Sequence, residues 1–228
     1  MPSLNENLSK LESIKFSGFT DNSNFVESNF IFISFAENLN DALRYSRDAI
    51  NRGAILVISQ VNLGQELKEK NIYDSNLVNH KDKYLKALFN RSEKDIKVVG
   101  ITGTNGKSST AFYLHQLLSF TDSNATLLTN MPKISDLENS ELSPLTTPDK
   151  FLLHYYLKKS IDLEREYFLM EVSSHAIDQG RICGLNFIAK SLTNFSRDHL
   201  DYHKNLKDYR ETKKSFFNLT DKNNVVSI

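Results

Sequence analysis

Cysteine occurs once in the 228 residues, at Cys183. A single cysteine excludes an intramolecular disulfide and fits a reducing compartment, so the expected location is the cytoplasm. Within Arg181-Ile-Cys-Gly-Leu185 it reads as an inert, small buried side chain rather than a nucleophile. Excess charge is also lacking, with 28 basic residues against 28 acidic ones. That balance gives electrostatics no reason to favour nucleic acid or an anionic membrane. No apolar run approaches the ~20 residues of a membrane span. The opening M-P-S-L-N-E-N-L-S-K lacks the basic-then-apolar order of a signal peptide. Neither an internal repeat nor a low-complexity tract is present. The length suits one large domain or two small ones, and either can bury a real core.

What the chain does have is concentrated between Ile96 and Leu118, reading I-K-V-V-G-I-T-G-T-N-G-K-S-S-T-A-F-Y-L-H-Q-L-L. A β-branched run (Ile96, Val98, Val99, Ile101) leads into a loop with Gly103 and Gly106. Ala111, Leu114, Leu117 and Leu118 then recur at helical spacing. Strand, Gly-rich turn and a helix opened by Lys-Ser-Ser make a phosphate-binding P-loop. Glycines let backbone N–H groups approach phosphate oxygens, and the helix N-terminus adds unpaired donors and the positive dipole end. Gly103, Thr104, Asn105, Gly106, Lys107, Ser108 and Ser109 are therefore the expected nucleotide-binding residues. Lys107 would reach the terminal phosphates and Ser108 would hold Mg²⁺. Five residues separate Gly100 from Gly106, one more than the standard spacing, so the phosphate loop is a variant.

Residues 1–93 read as a small α/β unit. Its expected strands are Phe30–Ile33 and Ala54–Ile58, with helices at Asn40–Ile50, Gly64–Lys70 and Asn76–Phe89. The charged stretch from Asn90 to Asp95 marks a boundary, and residues 94–228 form the second unit. Strands are expected at Lys97–Ile101, Ala125–Thr129, Tyr167–Val172, Ile188–Asn194 and Val225–Ile228. Helices are expected at Lys107–Phe120, Asp149–Lys159 and Asn205–Asn218. Alternation of strand and helix predicts an α/β fold with a mainly parallel, doubly wound sheet. Ligands collect at the carboxyl ends of strands in such sheets. The last strand would stop at the final residue, which predicts a truncated domain.

Three further clusters carry chemistry. Glu171 ends an apolar strand beside the P-loop, where a carboxylate can bind Mg²⁺ directly or through water. Ser173-Ser-His-Ala-Ile-Asp-Gln-Gly-Arg181 gathers hydroxyls, an imidazole, an amide and a guanidinium, which suits recognition of an acidic substrate. Ser173 or Ser174 would also cap a helix. His199, Asp201 and His203 are spaced two apart, which in an extended segment puts them on one side. His199 is expected near a second Mg²⁺, and His203 has a structural or surface role. On the helix from Asn205, the residues Leu206, Tyr209, Lys213, Phe216 and Phe217 form one stripe. Lys213 thus faces inward and Lys214 about 100° away. An inward lysine must be paired, neutral or modified, unless it snorkels out.

The motifs T-G-T-N-G-K-S-S, T-T-P-D, E-V-S-S-H-A-x-x-Q-G-R, T-N-x-x-R-D-H-L-D-Y-H and Y-x-x-x-K occur in this order. Together they resemble the Mur ligases, most of all the MurE type, over residues 97 to 217. The resemblance implies an ATP-dependent amide ligase of peptidoglycan precursor synthesis. Such an enzyme phosphorylates the terminal carboxylate of UDP-MurNAc-L-Ala-D-Glu, and the amine of a diamino acid attacks the acyl phosphate. It implies ATP and Mg²⁺ as cofactors, and a monomer as the expected state. Lys107, His199 and a carbamylated Lys213 would be catalytic, with Ser108, Glu171, His199 and Lys213 at the metal. Thr146, Thr147, Ser173, Gln179 and Arg181 would bind the muramoyl dipeptide, and Ser23 the uridine end. Leu145 replaces an Asn that often precedes Thr-Thr, and Asn22 and Asn24 replace an Asp and an Arg of the N-terminal motif. The family's C-terminal, amino-acid-selecting domain is expected to be absent. The alternatives are a non-catalytic remnant that binds nucleotide or UDP precursor, and another Mur-like or folylpolyglutamate-type ligase.

Overall fold

A computed structural model describes residues 3–92, 96–129 and 145–218. The chain divides into two compact units, Met1–Ser92 and Glu93–Ile228. Among the described residues no helix is long and apolar enough to cross a membrane.

The first unit runs α1 (Leu4–Glu12), β1 (Gly18–Thr20), a 3₁₀ turn (Ser23–Phe25), β2 (Phe30–Ser34), α2 (Leu39–Asn51), β3 (Ala54–Ser59), a 3₁₀ turn (Lys68–Lys70), β4 (Asn71–Tyr73) and α3 (Leu77–Ser92). The four strands pair in sequence order and all in parallel. Parallel pairing requires helical crossovers that cover the sheet faces, so β2 is buried along its whole length. Phe30, Phe32, Val57 and Leu63 pack with Ala42 and Ala49 of α2 into one core. The helix expected over Gly64–Lys70 is not formed. Gly64 takes a left-handed φ of 75°, and its N–H donates to Asn62 Oδ1 at 3.0 Å. That Asx-type turn competes with helix initiation, leaving only the short turn Lys68–Lys70. Elements not expected from the sequence include α1, opened by a capping box between Ser3 and Glu6, and the short strands β1 and β4.

The second unit contains β5 (Lys97–Thr102), α4 (Lys107–Ser119), β6 (Ala125–Leu128), α5 (Lys150–Asp162), β7 (Tyr167–Glu171), α6 (Ser174–Asp178), β8 (Phe187–Leu192) and α7 (Leu206–Asn218). Its sheet has the order β6-β7-β5-β8, again all parallel. Asp149 caps α5 through the N–H groups of Phe151 and Leu152. The strand expected over Ile188–Asn194 ends at Leu192, which releases Thr193 and Asn194 to the loop beyond. The strand expected at Val225–Ile228 lies outside the described residues. Cys183 is half-buried rather than buried.

Gly100 decides how closely α7 approaches the sheet. A Cβ there would stand 2.6 Å from Phe216 Cζ and 2.7 Å from Phe187 Cε1. Those two rings meet edge-on with centroids 5.1 Å apart. A side chain at position 100 would have to displace them and lift the helix from the central strand. Gly100→Ala is expected to destabilise the second unit by about 1–3 kcal/mol, the cost of overpacking a close-packed core. A denaturant titration following that unit should show an earlier midpoint, and an unchanged midpoint would contradict this packing.

Candidate functional site

The strand–loop–helix expected over residues 97–120 is formed by β5 and α4, and its loop stands at the carboxyl end of the second sheet. Gly106 takes the left-handed conformation (φ 79°) at the N-cap of α4, with no side chain capping the helix. The N–H groups of Lys107, Ser108 and Ser109 occupy the first turn, where helical geometry gives them no acceptor of their own. Gly103 has φ 147°, and a Cβ on it would meet Thr193 Oγ1 at 1.9 Å. Only glycine fits there.

The loop is clasped from the end of β8. Thr193 Oγ1 donates to the Asn105 carbonyl at 2.6 Å, and Asn194 Nδ2 to the same oxygen at 2.9 Å. Asn194 Oδ1 accepts from Asn105 N–H at 3.0 Å. Thr104 N–H donates to the Asn194 carbonyl at 3.1 Å. A second clasp comes from α7, where the hydroxyls of Thr104 and Tyr209 lie 3.1 Å apart. The sequence reading gave Thr193, Asn194 and Tyr209 no roles of their own. Their motifs were visible, but contacts between loops some ninety residues apart leave no periodic trace.

Two lysines converge inside this loop. Lys107 Nζ donates to the carbonyls of Gly103 (3.0 Å) and Thr104 (2.9 Å). Lys213 Nζ donates to the same Gly103 oxygen at 2.9 Å and contacts Thr102 Oγ1 at 3.4 Å. Lys213 is 3% exposed, whereas the neighbouring Lys214 side chain is 61% exposed. The helical stripe thus turns Lys213 inward as expected, and its ammonium also lies 4.8 Å over the Tyr209 ring. Leu206 is exposed, so the buried part of the stripe begins at Tyr209. Burial, then the charge of Lys107, pushes the Lys213 amine down to about 7, against the pull of Asp198. Burial also lowers Lys107, but Glu171 and Asp198 oppose that shift. Asp198 is therefore a shared counter-charge, a role the sequence did not reveal.

Glu171 leaves the end of β7 at 2% exposure, and its Oε1 accepts from Ser108 Oγ at 2.7 Å. A buried carboxylate and a hydroxyl meeting at the mouth of a phosphate loop form an all-oxygen donor pair, which suits a hard divalent cation. Among the described residues no three His, Cys, Asp or Glu side chains form a group able to hold a metal. A cation here would need phosphate oxygens or water to complete its shell, as Mg²⁺ ordinarily does.

The histidine reading needs correction. His199 to His203 is a turn and not an extended segment. His199 has φ 51°, and the N–H groups of Tyr202 and His203 both donate to its carbonyl. A tight turn destroys the two-residue alternation, so His203 is buried while Asp201 is exposed. His199 lies beside Asp198, with Nε2 3.5 Å from Oδ2, and its ring meets His175 edge-on at 5.1 Å. His203 contacts the Tyr209 ring at 5.1 Å, which places it under α7 as a structural residue.

Of the residues expected to bind the dipeptide, Thr147, Ser173, Gln179 and Arg181 form one network. Thr147 Oγ1 donates to the Glu171 carbonyl at 2.9 Å and accepts from Ser173 N–H at 2.9 Å. Ser173 also caps α6 by accepting from Ala176 N–H. Arg181 Nη1 donates to the Thr147 carbonyl at 2.8 Å, and its Nε to Gln179 Oε1 at 2.8 Å. Gln179 continues to the Tyr202 hydroxyl at 3.2 Å. Thr146 is half-buried and Leu145 exposed. Ser23 belongs to the other unit, where its hydroxyl donates to Asp48 and, with Arg52, holds that carboxyl below its ordinary range. Arg52 Nη2 also reaches Asn24 Oδ1 at 3.5 Å.

Comparison with known proteins bears on both units. A 2,6-diaminopimelate-adding UDP-N-acetylmuramoyl-L-alanyl-D-glutamate ligase of Helicobacter pylori is 47% identical over 57% of this chain and 29% of its own length. The enzyme of the same name from Bacteroides fragilis is 32% identical over 98% of this chain and 50% of its own. This chain thus spans about half the length of the relatives it matches, or less. A solved structure of a ligase with that name superposes with a TM-score of 0.59 and 26% identity, covering 90% of this chain and 41% of the other. A MurF ligase from Thermotoga maritima in complex with ADP has a TM-score of 0.59 at 20% identity, covering 92% and 45%, which shows the shared fold. Residues 101–228 match the Mur ligase middle domain, and the chain belongs to the Mur ligase family.

Proposed function

We propose that this chain carries the precursor-binding unit and part of the ATP-binding unit of a MurE-type ligase. The observation that carries this reading is the loop at Gly103, with Lys107 and Lys213 on one carbonyl and Ser108 on Glu171. In the proposed reaction the terminal carboxylate of UDP-MurNAc-L-Ala-D-Glu takes the γ-phosphoryl group of ATP and ADP leaves. The amine of a diamino acid then forms the amide, losing a proton and displacing inorganic phosphate. The names of the relatives support 2,6-diaminopimelate as that diamino acid. A single, half-buried cysteine suits work in the cytoplasm.

Each side chain has a part in this reading. Lys107, folded back onto loop carbonyls, swings to the phosphates when ATP binds, and the first-turn N–H groups of α4 supply further donors. Ser108 and Glu171 would hold Mg²⁺, which when bound neutralises charge developing on the transferred phosphoryl group. His199 is assigned to the same region from the opposite loop. Thr146, Thr147, Ser173, Gln179 and Arg181 receive the dipeptide end of the precursor, with Arg181 matched to a carboxylate. Ser23 receives the uridine end.

Lys213 is proposed to react with CO₂. A carbamate forms from a neutral amine, and the low basicity of Lys213 supplies that form near neutrality. Carbamylation exchanges a buried positive charge beside Lys107 for a negative one, which turns repulsion into attraction. Among the described residues, a cavity of about 780 Å³ is bordered by Lys213, Leu192, Phe195 and Phe217.

Two outcomes are expected. Lys107→Ala should weaken binding of a nonhydrolysable ATP analogue about 10- to 100-fold, the worth of one or two charge-assisted hydrogen bonds. Unchanged calorimetric affinity would remove the nucleotide assignment. With ¹³C-labelled CO₂ held at fixed dissolved concentration, a carbamate resonance should appear at pH 8 and be missing in Lys213→Ala. Because the folded amine titrates at about 7, protonation should make the resonance fade between pH 8 and pH 6. A signal unaffected by pH, or by loss of Lys213, would refute the modification.

A further inference from the structure

A second buried lysine lies beneath the same helix. Lys190 is in β8, directly beside Gly100 of β5 in the pairing register, and it is 4% exposed. Its Nζ donates to the Phe216 carbonyl at 2.9 Å. The ammonium also lies 5.2 Å from the Phe216 ring and 5.7 Å from the Phe187 ring. Nothing in the sequence pattern of β8 marks this residue, since F-I-A-K-S-L reads as an ordinary edge strand with one solvated lysine.

Burying an ammonium is costly unless several partners share its charge. Among the described residues its partners include two aromatic faces and a backbone carbonyl of α7. Phe216 lies three residues beyond Lys213 in α7. Its carbonyl oxygen carries the partial negative charge that an ammonium group seeks, and cation–π attraction from the two rings adds to it. Gly100 opens the space in which the Phe216 ring sits beside it.

We propose that Lys190 is a positioning residue whose buried ammonium pins the last turn of α7 to β8 and so sets the reach of Lys213 to the phosphate loop. Phe216 follows Lys213 by three residues, nearly one turn, on the same helix face. The other end of that face is fixed to the loop through Tyr209 and Thr104. Held at both ends, α7 cannot slide or roll, and Lys213 Nζ stays 2.9 Å from the Gly103 carbonyl. Lys190 touches neither Gly103 nor Lys213 in this arrangement. It acts through the helix.

The role of Lys190 rests on the reading of Lys213 given above, and two readouts separate the two claims. Amide hydrogen exchange and ¹³C-carbamate NMR would be compared in the wild-type chain, Lys190→Met, Lys190→Arg and Lys213→Met. The methionine keeps length and apolar bulk but loses the charge and the donors. It should speed exchange about tenfold or more in the last turn of α7 and at Thr104, as expected when a local anchor is released. It should also lower carbamate occupancy several-fold, and arginine should restore both. Faster exchange confined to the last turn, with Thr104 and the carbamate unchanged, would reduce Lys190 to a packing residue and overturn the proposal. Unchanged exchange everywhere would overturn it too. If the wild type itself gives no carbamate signal, the modification of Lys213 fails while the Thr104 amide still decides for or against Lys190. Should Lys190→Met not fold, Lys190→Gln serves the same comparison.

Discussion

One carbonyl oxygen, that of Gly103, accepts from two lysine ammonium groups. Like charges brought together out of water repel strongly, and each also loses hydration. The cost falls unequally. Lys107 keeps Glu171 and Asp198 as counter-charges, while the more deeply buried Lys213 has, among the described residues, Asp198 and is pushed down to about 7. One lysine keeps two carboxylates to hold its charge, and the other becomes an amine that can give up its proton. The difference follows from burial and neighbours, since both begin as the same side chain.

That convergence requires three elements to meet within ångströms. Gly103 must lack a Cβ so that Thr193 can lie against the loop. Asn194 must hold the Thr104 and Asn105 amides at the end of β8. Helix α7 must sit close over β5, which Gly100 permits and Phe216 with Lys190 enforces. The parallel sheet delivers all of these to one edge because every strand in it points the same way. Thr147, Ser173 and Arg181 are bonded to one another beside Glu171.

Much of this was legible in the sequence where local rules suffice. Apolar runs gave β2, β3, β5 and β7, because strands buried on both faces need no alternation. Helical period turned Lys213 inward and Lys214 outward, and Ser173 capped its helix. In α1 the capping box of Ser3 and Glu6, and Leu4, Leu8 and Leu11 at helical spacing, were there to be read. Legibility ended where the backbone departs from regular geometry. His199 at φ 51° makes a turn that no residue spacing reports, and the Asx turn at Asn62 and Gly64 prevents a helix that composition alone would allow. It ended again where distant segments meet. Lys190 and Asp198 acquire their meaning only from α7 and the phosphate loop.

The central claim is that burial beside Lys107 makes Lys213 an amine of near-neutral basicity. NMR titration of the chain with ¹³C-labelled lysine Cε atoms, in CO₂-free buffer, tests it directly. The account predicts one lysine resonance with its midpoint near pH 7, absent in Lys213→Met. If no lysine resonance moves near that pH, the two ammonium groups do not share the Gly103 carbonyl, and the account of this loop is wrong.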